Sequence, residues 1–587
     1  MVTTVETLIA ALPLVIAGVL LVGFLWPATR AMPIAWISAL IVGFFVWNMP
    51  PDWLAAASIV GAMTAIEILW IVFGALLLLY TLMEAGAFER INRGFATVSD
   101  DRRVQIVLIG FFLATFIEGA AGFGTPAAVV APLMLGLGFP ALAAVVAAII
   151  GHIIAVTYGA VGTPIVVGIR DPLSSAGFGE AIGAGGYTVT EYSNQVAAWA
   201  ATYHSLVGFV MPLFAVGMVV YFFGGEDRSL KPAWEVAPLC LFAGIAFAVP
   251  YWLSAWFITA EFPSLIGSMV GGAITVTALR MGYLVPDSEW DFPPREEWPD
   301  HWVGTIEPGQ RGVSGNSAVT DGGRSARSEM SLLKAWSPYV LLVVLLVVTR
   351  AIPQISSAIS NPAFGVDLGN VTLGIVVGWQ EILGTSLGNT IGWVSVPGFW
   401  LMISAILAIP IFGMSGNQVK AAWAETFRKI VAPFIALVFV IAMVQVMLNS
   451  GLSPGAPEAG SMIVVLATAT ADLLGPAYPF VASLIGALGA AMAGSNTVSN
   501  ITFSGFQFEA AQQLGLPTQI IVGAQAVGGA IGNLVAVHNV VAAVATVGLV
   551  GQEGRVMRLN LIPLAYYAFM VGILTMLFSY VLFPGLF

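Results

Sequence analysis

Phe116-Ile-Glu-Gly-Ala-Ala-Gly-Phe-Gly-Thr-Pro126 interrupts an apolar stretch that runs from residue 104 to residue 150. One carboxylate, Glu118, is followed by Gly119, Gly122 and Gly124, then by Thr125 and Pro126. Glycine and proline at this density break a helix. At membrane depth a broken helix is tolerated only where protein buries it or water reaches it, and an ionisable residue there marks a functional site. A second interruption, Gly494-Ser-Asn-Thr-Val-Ser-Asn500, follows another apolar run far downstream. Two interrupted hydrophobic segments in corresponding places of two halves point to a transporter's binding site.

The composition agrees with that setting. Of 587 residues 58% are hydrophobic and 9% charged, against about 25% charged in soluble proteins. With a mean hydropathy of +0.93 the chain reads as an all-α polytopic membrane protein. Its length suits about 12–14 transmembrane segments, in two structural repeats with broken or re-entrant helices. A single cysteine, Cys240, excludes an internal disulfide and a cysteine metal cluster, and the four histidines show no ligand spacing. No nucleophile–base pair is visible, so an enzyme is not expected, nor is a cofactor or a metal. The net charge of −11 argues against nucleic-acid partners.

Apolar runs at 8–26, 33–47 and 54–83 open the chain, the third carrying Glu67. The run at 8–26 follows Glu6 and lacks a basic leader, so it reads as the first span. Arg90, Arg93, Arg102 and Arg103 then mark a cytoplasmic loop. The first broken-helix region covers 104–170 and includes His152 and a further break at 158–164. Residues 286–335 are charged and rich in Pro, Gly and Ser, and read as a cytoplasmic, partly disordered linker. It separates an N-terminal transmembrane half, 1–285, from a C-terminal half, 336–587, whose broken-helix region is 480–550. A Gly/Asn-rich stretch with Asp367 and Glu381 follows the span at 336–352. Gly136-Leu-Gly-Phe-Pro140 and Gln513-Leu-Gly-Leu-Pro517 follow the two breaks at matching spacing, eighteen residues from Gly122 to Pro140 and from Asn500 to Thr518.

A helix that starts at the bilayer midplane presents free amides and a positive dipole end, which suit a small carboxylate. Gly119, Gly122 and Gly124 let a ligand approach that backbone closely, and Thr125 adds a hydroxyl. Ser495, Asn496, Thr497, Ser499 and Asn500 add groups that bind an anion or, through oxygen, a small cation. No lysine or arginine falls in either break. Neutralisation of an anion must therefore come from dipoles, a cation or a proton, and Glu118 is the natural proton carrier. Glu67 and Asp472 are weaker acidic candidates. Tyr158, Thr163, His152, Gln525, His538 and Asn539 are candidates for lining the path.

At these residues the chain resembles the L-lactate permease family. Glu118 to Pro126, Gly136 to Pro140 and the Gly-Ala-x-Gly-x-Pro phrase at 159–164 are similar to that family's N-terminal half. Gly494 to Asn500 and the small-residue run from Asn539 to Gly551 are similar to its C-terminal half. The resemblance implies import of L-lactate, and also of D-lactate and glycolate, by proton symport across the plasma membrane. It further implies paired re-entrant hairpins whose Ser-Asn-Thr tips, in wider relatives, bind carboxylates and sodium, within homodimers. Only the second break keeps Ser-Asn-Thr here, and the first has Glu118-Gly-Ala, which favours a proton over sodium. Sodium-coupled uptake of another small organic anion and a passive anion channel are the alternatives.

Overall fold

A computed structural model describes residues 3–24, 26–122, 124–175, 178–225, 228–309, 330–361 and 364–587, the side chains of 96, 175, 351, 353 and 538 excepted. Eleven helices among these residues are long and apolar enough to cross a bilayer. The pair Val189–Gly208 and Met211–Phe223, bent by 41°, brings the number to twelve if the two together make one broken span. Thr125–Gly136 and Ala141–Gly151, at 12 and 11 residues, are shorter than a bilayer crossing needs.

Two helices of 34 residues, Pro51–Glu84 and Gly416–Asn449, form a central pair. At 1.5 Å per residue each is about 51 Å long, well beyond a bilayer core of about 30 Å. They pack tightly because small residues face each other: a Cβ on Gly61 would run into the Ala442 backbone. Helices Ala28–Phe45 and Pro397–Phe412 pack on this pair, and Leu332–Ala351 packs on Pro397–Phe412. The inner group is built from residues 102–280 and 478–582, so each sequence half contributes to both groups.

Within the inner group the two halves run through the same sequence of elements. Residues 102–121 form a helix that ends at Gly122 (φ +59°) and Gly124 (φ +73°). Thr125–Gly136 then folds back against it, a turn at Gly138 follows, and Ala141–Gly151 leads into a second interruption between His152 and Gly162. In the other half Tyr478–Ala493 ends at Gly494 (φ +65°) and Asn496–Gln513 folds back. Gly515 makes the turn, and Thr518–Gly532 leads into an interruption at 533–536 before Val537–Thr546. The Leu-Gly-x-Pro phrases of the sequence are these two turns, with Pro140 and Pro517 as helix N-caps. The breaks at 122–124 and 494–495 are therefore hairpin tips, and those at 152–162 and 533–536 are unwound stretches within helices.

Two regions hold more structure than their composition suggests. The Gly/Asn-rich stretch forms a four-stranded antiparallel sheet of Gly365–Asp367, Val371–Gly374, Val377–Trp379 and Asn389–Ile391 in chain order. Strands of three or four residues are too short for alternation to stand out. The sheet leans on helix Pro51–Glu84, where Asn389 donates to Thr64 Oγ1 at 2.9 Å. The part of the linker from 286 to 309 is seated against the protein; residues 310–329 of that stretch lie outside the described residues. Trp290 N donates to Asp101, Arg102 bonds Asp291 at 2.9 Å, Phe292 packs on Phe139 and Trp302 on Phe223. Its aromatic residues anchor a segment whose Pro, Gly and charge content masked them.

Candidate functional site

All four interruptions meet at one small polar cavity. Glu118, Gly122, Gly124, His152, Gly159 and Pro164 line it from the first half. Gly494, Ser495, Asn496, Thr497, Asn533 and Asn539 line it from the second, with Val156 as an apolar wall. Non-atom space there is about 350 Å³, and the room left is about that of a water molecule. Glycines make the convergence possible. A Cβ on Gly122 would come within 2.9 Å of Ala160 N, and one on Gly124 within 2.5 Å of Asn539 Oδ1. A Cβ on Gly159 would collide with Glu118 Oε1, and one on Gly529 with Asn496 Oδ1.

The backbone at 160–162 is left-handed for three residues in a row: Ala160, Val161 and Gly162 at φ +44°, +56° and +78°. For a β-branched residue such as Val161 this conformation is strained, and strain of this kind clusters at functional sites. Asn500 holds the stretch in place by donating to Pro164 O at 3.0 Å. Asn539 donates to Asn533 Oδ1 at 2.7 Å and Asn533 to Gly529 O at 2.9 Å, which fixes the other interruption.

Among the described residues, the side chains of Glu118, Asn496 and Thr497 at the cavity carry no hydrogen bond. Glu118, 4% exposed, makes no hydrogen bond or ion pair among the described residues. Asn496, 3% exposed, has neither its amide nitrogen nor its amide oxygen bonded. A buried amide with no partner costs about 1–3 kcal/mol, so such a group is kept for something that is to fill the gap. Two helices, Thr125–Gly136 and Asn496–Gln513, also start at the cavity and bring positive dipole ends to it. No lysine or arginine lines it. His152 donates from Nδ1 to Ala148 O at 2.7 Å, which leaves Nε2 as the acceptor of the neutral ring.

The structure separates the remaining sequence candidates by position. Ser495 caps the second arm by accepting from Val498 N, and Thr497 faces the cavity. Ser499 donates to Gly486 O at 2.7 Å and Gln525 to Ser499 Oγ at 3.1 Å, so these two brace the hairpin from behind. Thr125 donates to Gly122 O and Thr163 to Ala160 O, each closing its own turn. Gly119 lets helix Pro263–Arg280 approach, since a Cβ there would meet Ser264 at 2.9 Å. Tyr158 is buried, bonds to Ala197 O and packs edge-on against Tyr251, away from the cavity lining. The side chain of His538 lies outside the described residues. Asp472 is exposed near the end of Met462–Leu474 and is not part of the cavity lining. Glu67 is buried beside a different cavity. Gly159 and Pro164 lie in the break read at 158–164, but neither they nor Asn533 stand among the site candidates of the sequence; Asn533, six residues before Asn539 in one interruption, is the one whose type gives a signal.

The L-lactate permease family model matches residues 6–582 of this sequence. The chain belongs to that family. It is similar to the L-lactate permease of Salmonella typhimurium, 26% identical over 98% of this chain and 96% of that one. The glycolate permease GlcA of Escherichia coli is 27% identical over the same shares. The L-lactate permease of Bacillus subtilis is 26% identical over 92% of this chain and 90% of its own. Among solved structures, the Alcanivorax borkumensis YdaH transporter aligns with a TM-score of 0.38 at 14% identity, covering 86% of this chain and 84% of that one. Neisseria gonorrhoeae MtrF aligns with a TM-score of 0.40 at 14% identity, covering 87% and 81%. The chain is thus a multi-pass membrane protein of a permease family, with its broken helices gathered at one cavity.

Proposed function

We propose that this protein imports L-lactate, and with it D-lactate and glycolate, across the plasma membrane by proton symport. The observation that carries the reading is the pairing of unpartnered Glu118 and unpartnered Asn496 at one buried cavity free of basic residues. Lactate offers a carboxylate and an adjacent hydroxyl. The carboxylate meets the two helix N-termini, and the Asn496 amide offers one donor and one acceptor to the pair of groups. Protonation of Glu118 brings one positive charge in with each anion, so the loaded site carries no added net charge. The family names of the relatives support the substrate class, lactate and glycolate.

Sodium coupling is the second reading, favoured by the unpartnered Asn496 Oδ1, an oxygen that suits a small cation. Uptake of labelled L-lactate into proteoliposomes under an imposed pH gradient, with and without sodium, separates the two. Accumulation by the pH gradient alone is expected. Accumulation that needs sodium would overturn proton symport, and uptake without accumulation would make the protein a passive pathway.

A further inference from the structure

A second, wider cavity of about 1090 Å³, part of it open to solvent, lies between helix Pro51–Glu84 and the small sheet. Helix Leu332–Ala351 fixes which face this is. Its start is tied to the basic loop, where Arg90 donates to Met330 O at 2.9 Å, and after twenty residues it delivers the chain towards the sheet. At 1.5 Å per residue that is about 30 Å, a full crossing, so the cavity opens on the face opposite the basic loop.

Three charged groups line it: Glu67, Arg170 and Asp171. Arg170 Nε pairs with Asp171 Oδ1 at 3.3 Å, and its two terminal nitrogens carry no hydrogen bond among the described residues. The acidic groups whose field reaches Arg170 are Asp171, Glu67 and Glu261. Glu261 is already matched, holding Arg350 at 2.8 Å. The Gly392 amide approaches the Glu67 carboxyl from the sheet side. With both remaining carboxyls ionised the trio carries one net negative charge and repels an anion. One proton on either carboxyl makes it neutral and leaves the guanidinium fork, the geometry that matches a carboxylate, free to bind one. Hydroxyls and amides of Thr64, Ser174, Gln380 and Thr390 surround this point. The chain from Arg170 leads back to Pro164 at the central cavity, six residues or about 9 Å along a helical path.

We propose that Arg170, flanked by Glu67 and Asp171, is a proton-linked capture site for a small monocarboxylate at the mouth of the path to the central cavity. The proposal rests on the transport reading above. The site takes up a proton and the anion together before either reaches Glu118.

The test measures labelled L-lactate uptake by the full chain in proteoliposomes against concentration, at acidic and alkaline external pH. Arg170→Gln is expected to raise KM by about tenfold or more with the maximal rate kept within about twofold, and Arg170→Lys to recover part of the loss. Glu67→Gln is expected to flatten the rise of KM towards alkaline pH. A parental KM in Arg170→Gln, a lost maximal rate with KM unchanged, or a parental pH profile in Glu67→Gln would each overturn the capture site while leaving the transport reading intact. No lactate uptake by the parent would overturn both.

Discussion

At the scale of single residues, the proposed symport turns on Glu118 and Asn496. Both are legible as sequence candidates because Glu118 sits in a Gly-rich break and Asn496 in a Ser/Asn/Thr-rich one, each within apolar surroundings. That Asn496 stays unbonded while Ser499 and Asn500, three and four residues on, are consumed by the scaffold was not legible, because it depends on which way one helix faces. Gly159 provides a clean probe. Its φ of −61° suits any residue, so Gly159→Ala adds no backbone strain and only drives a methyl into the Glu118 carboxyl. Uptake of labelled L-lactate is expected to fall by at least about tenfold, the effect of a misplaced reactive group. Asn496→Ala is expected to raise the KM for L-lactate. It also removes a buried unpaired amide worth about 1–3 kcal/mol, so the substrate-free variant is expected to melt no lower than the parent, as thermal unfolding in detergent would show.

At the scale of elements, the hairpins and turns were written in glycine and proline, and the two Leu-Gly-x-Pro phrases fall at matching turns. The sheet and the seated linker were hidden, the first by strand length and the second by composition. The anchor of the linker is Arg103, fully buried and bonded to Asp101, to Glu235 at 3.0 Å and to the carbonyls of Pro232 at 2.8 Å and Ser288 at 2.5 Å. Truncating one member of a buried ion pair leaves the rest uncompensated, at a cost of about 3–5 kcal/mol. Arg103→Ala is therefore expected to lower the melting temperature markedly, and to expose residues 286–309 to limited proteolysis. Unchanged melting and cleavage would mean that the linker is held by its aromatics alone.

At the scale of the whole molecule, the division into sequence halves and the division in space are different. Hydropathy located the linker between halves, but the grouping of helices into a central long pair and an inner set of hairpins depends on long-range packing of small residues such as Gly61 against Ala442 and Gly74 against Gly398. The arrangement brings hairpin tips and unwound helices from both halves to one point with no fixed positive charge. With no fixed positive charge there, the proposed symport needs a proton on Glu118. Its most direct test compares Glu118→Gln with the parent in proteoliposomes in two modes, pH-driven accumulation of labelled L-lactate and lactate-for-lactate exchange without a gradient. Glutamine keeps the shape but cannot carry a proton across. Loss of accumulation with exchange retained is the predicted result, and pH-driven accumulation by Glu118→Gln equal to the parent's would contradict the account.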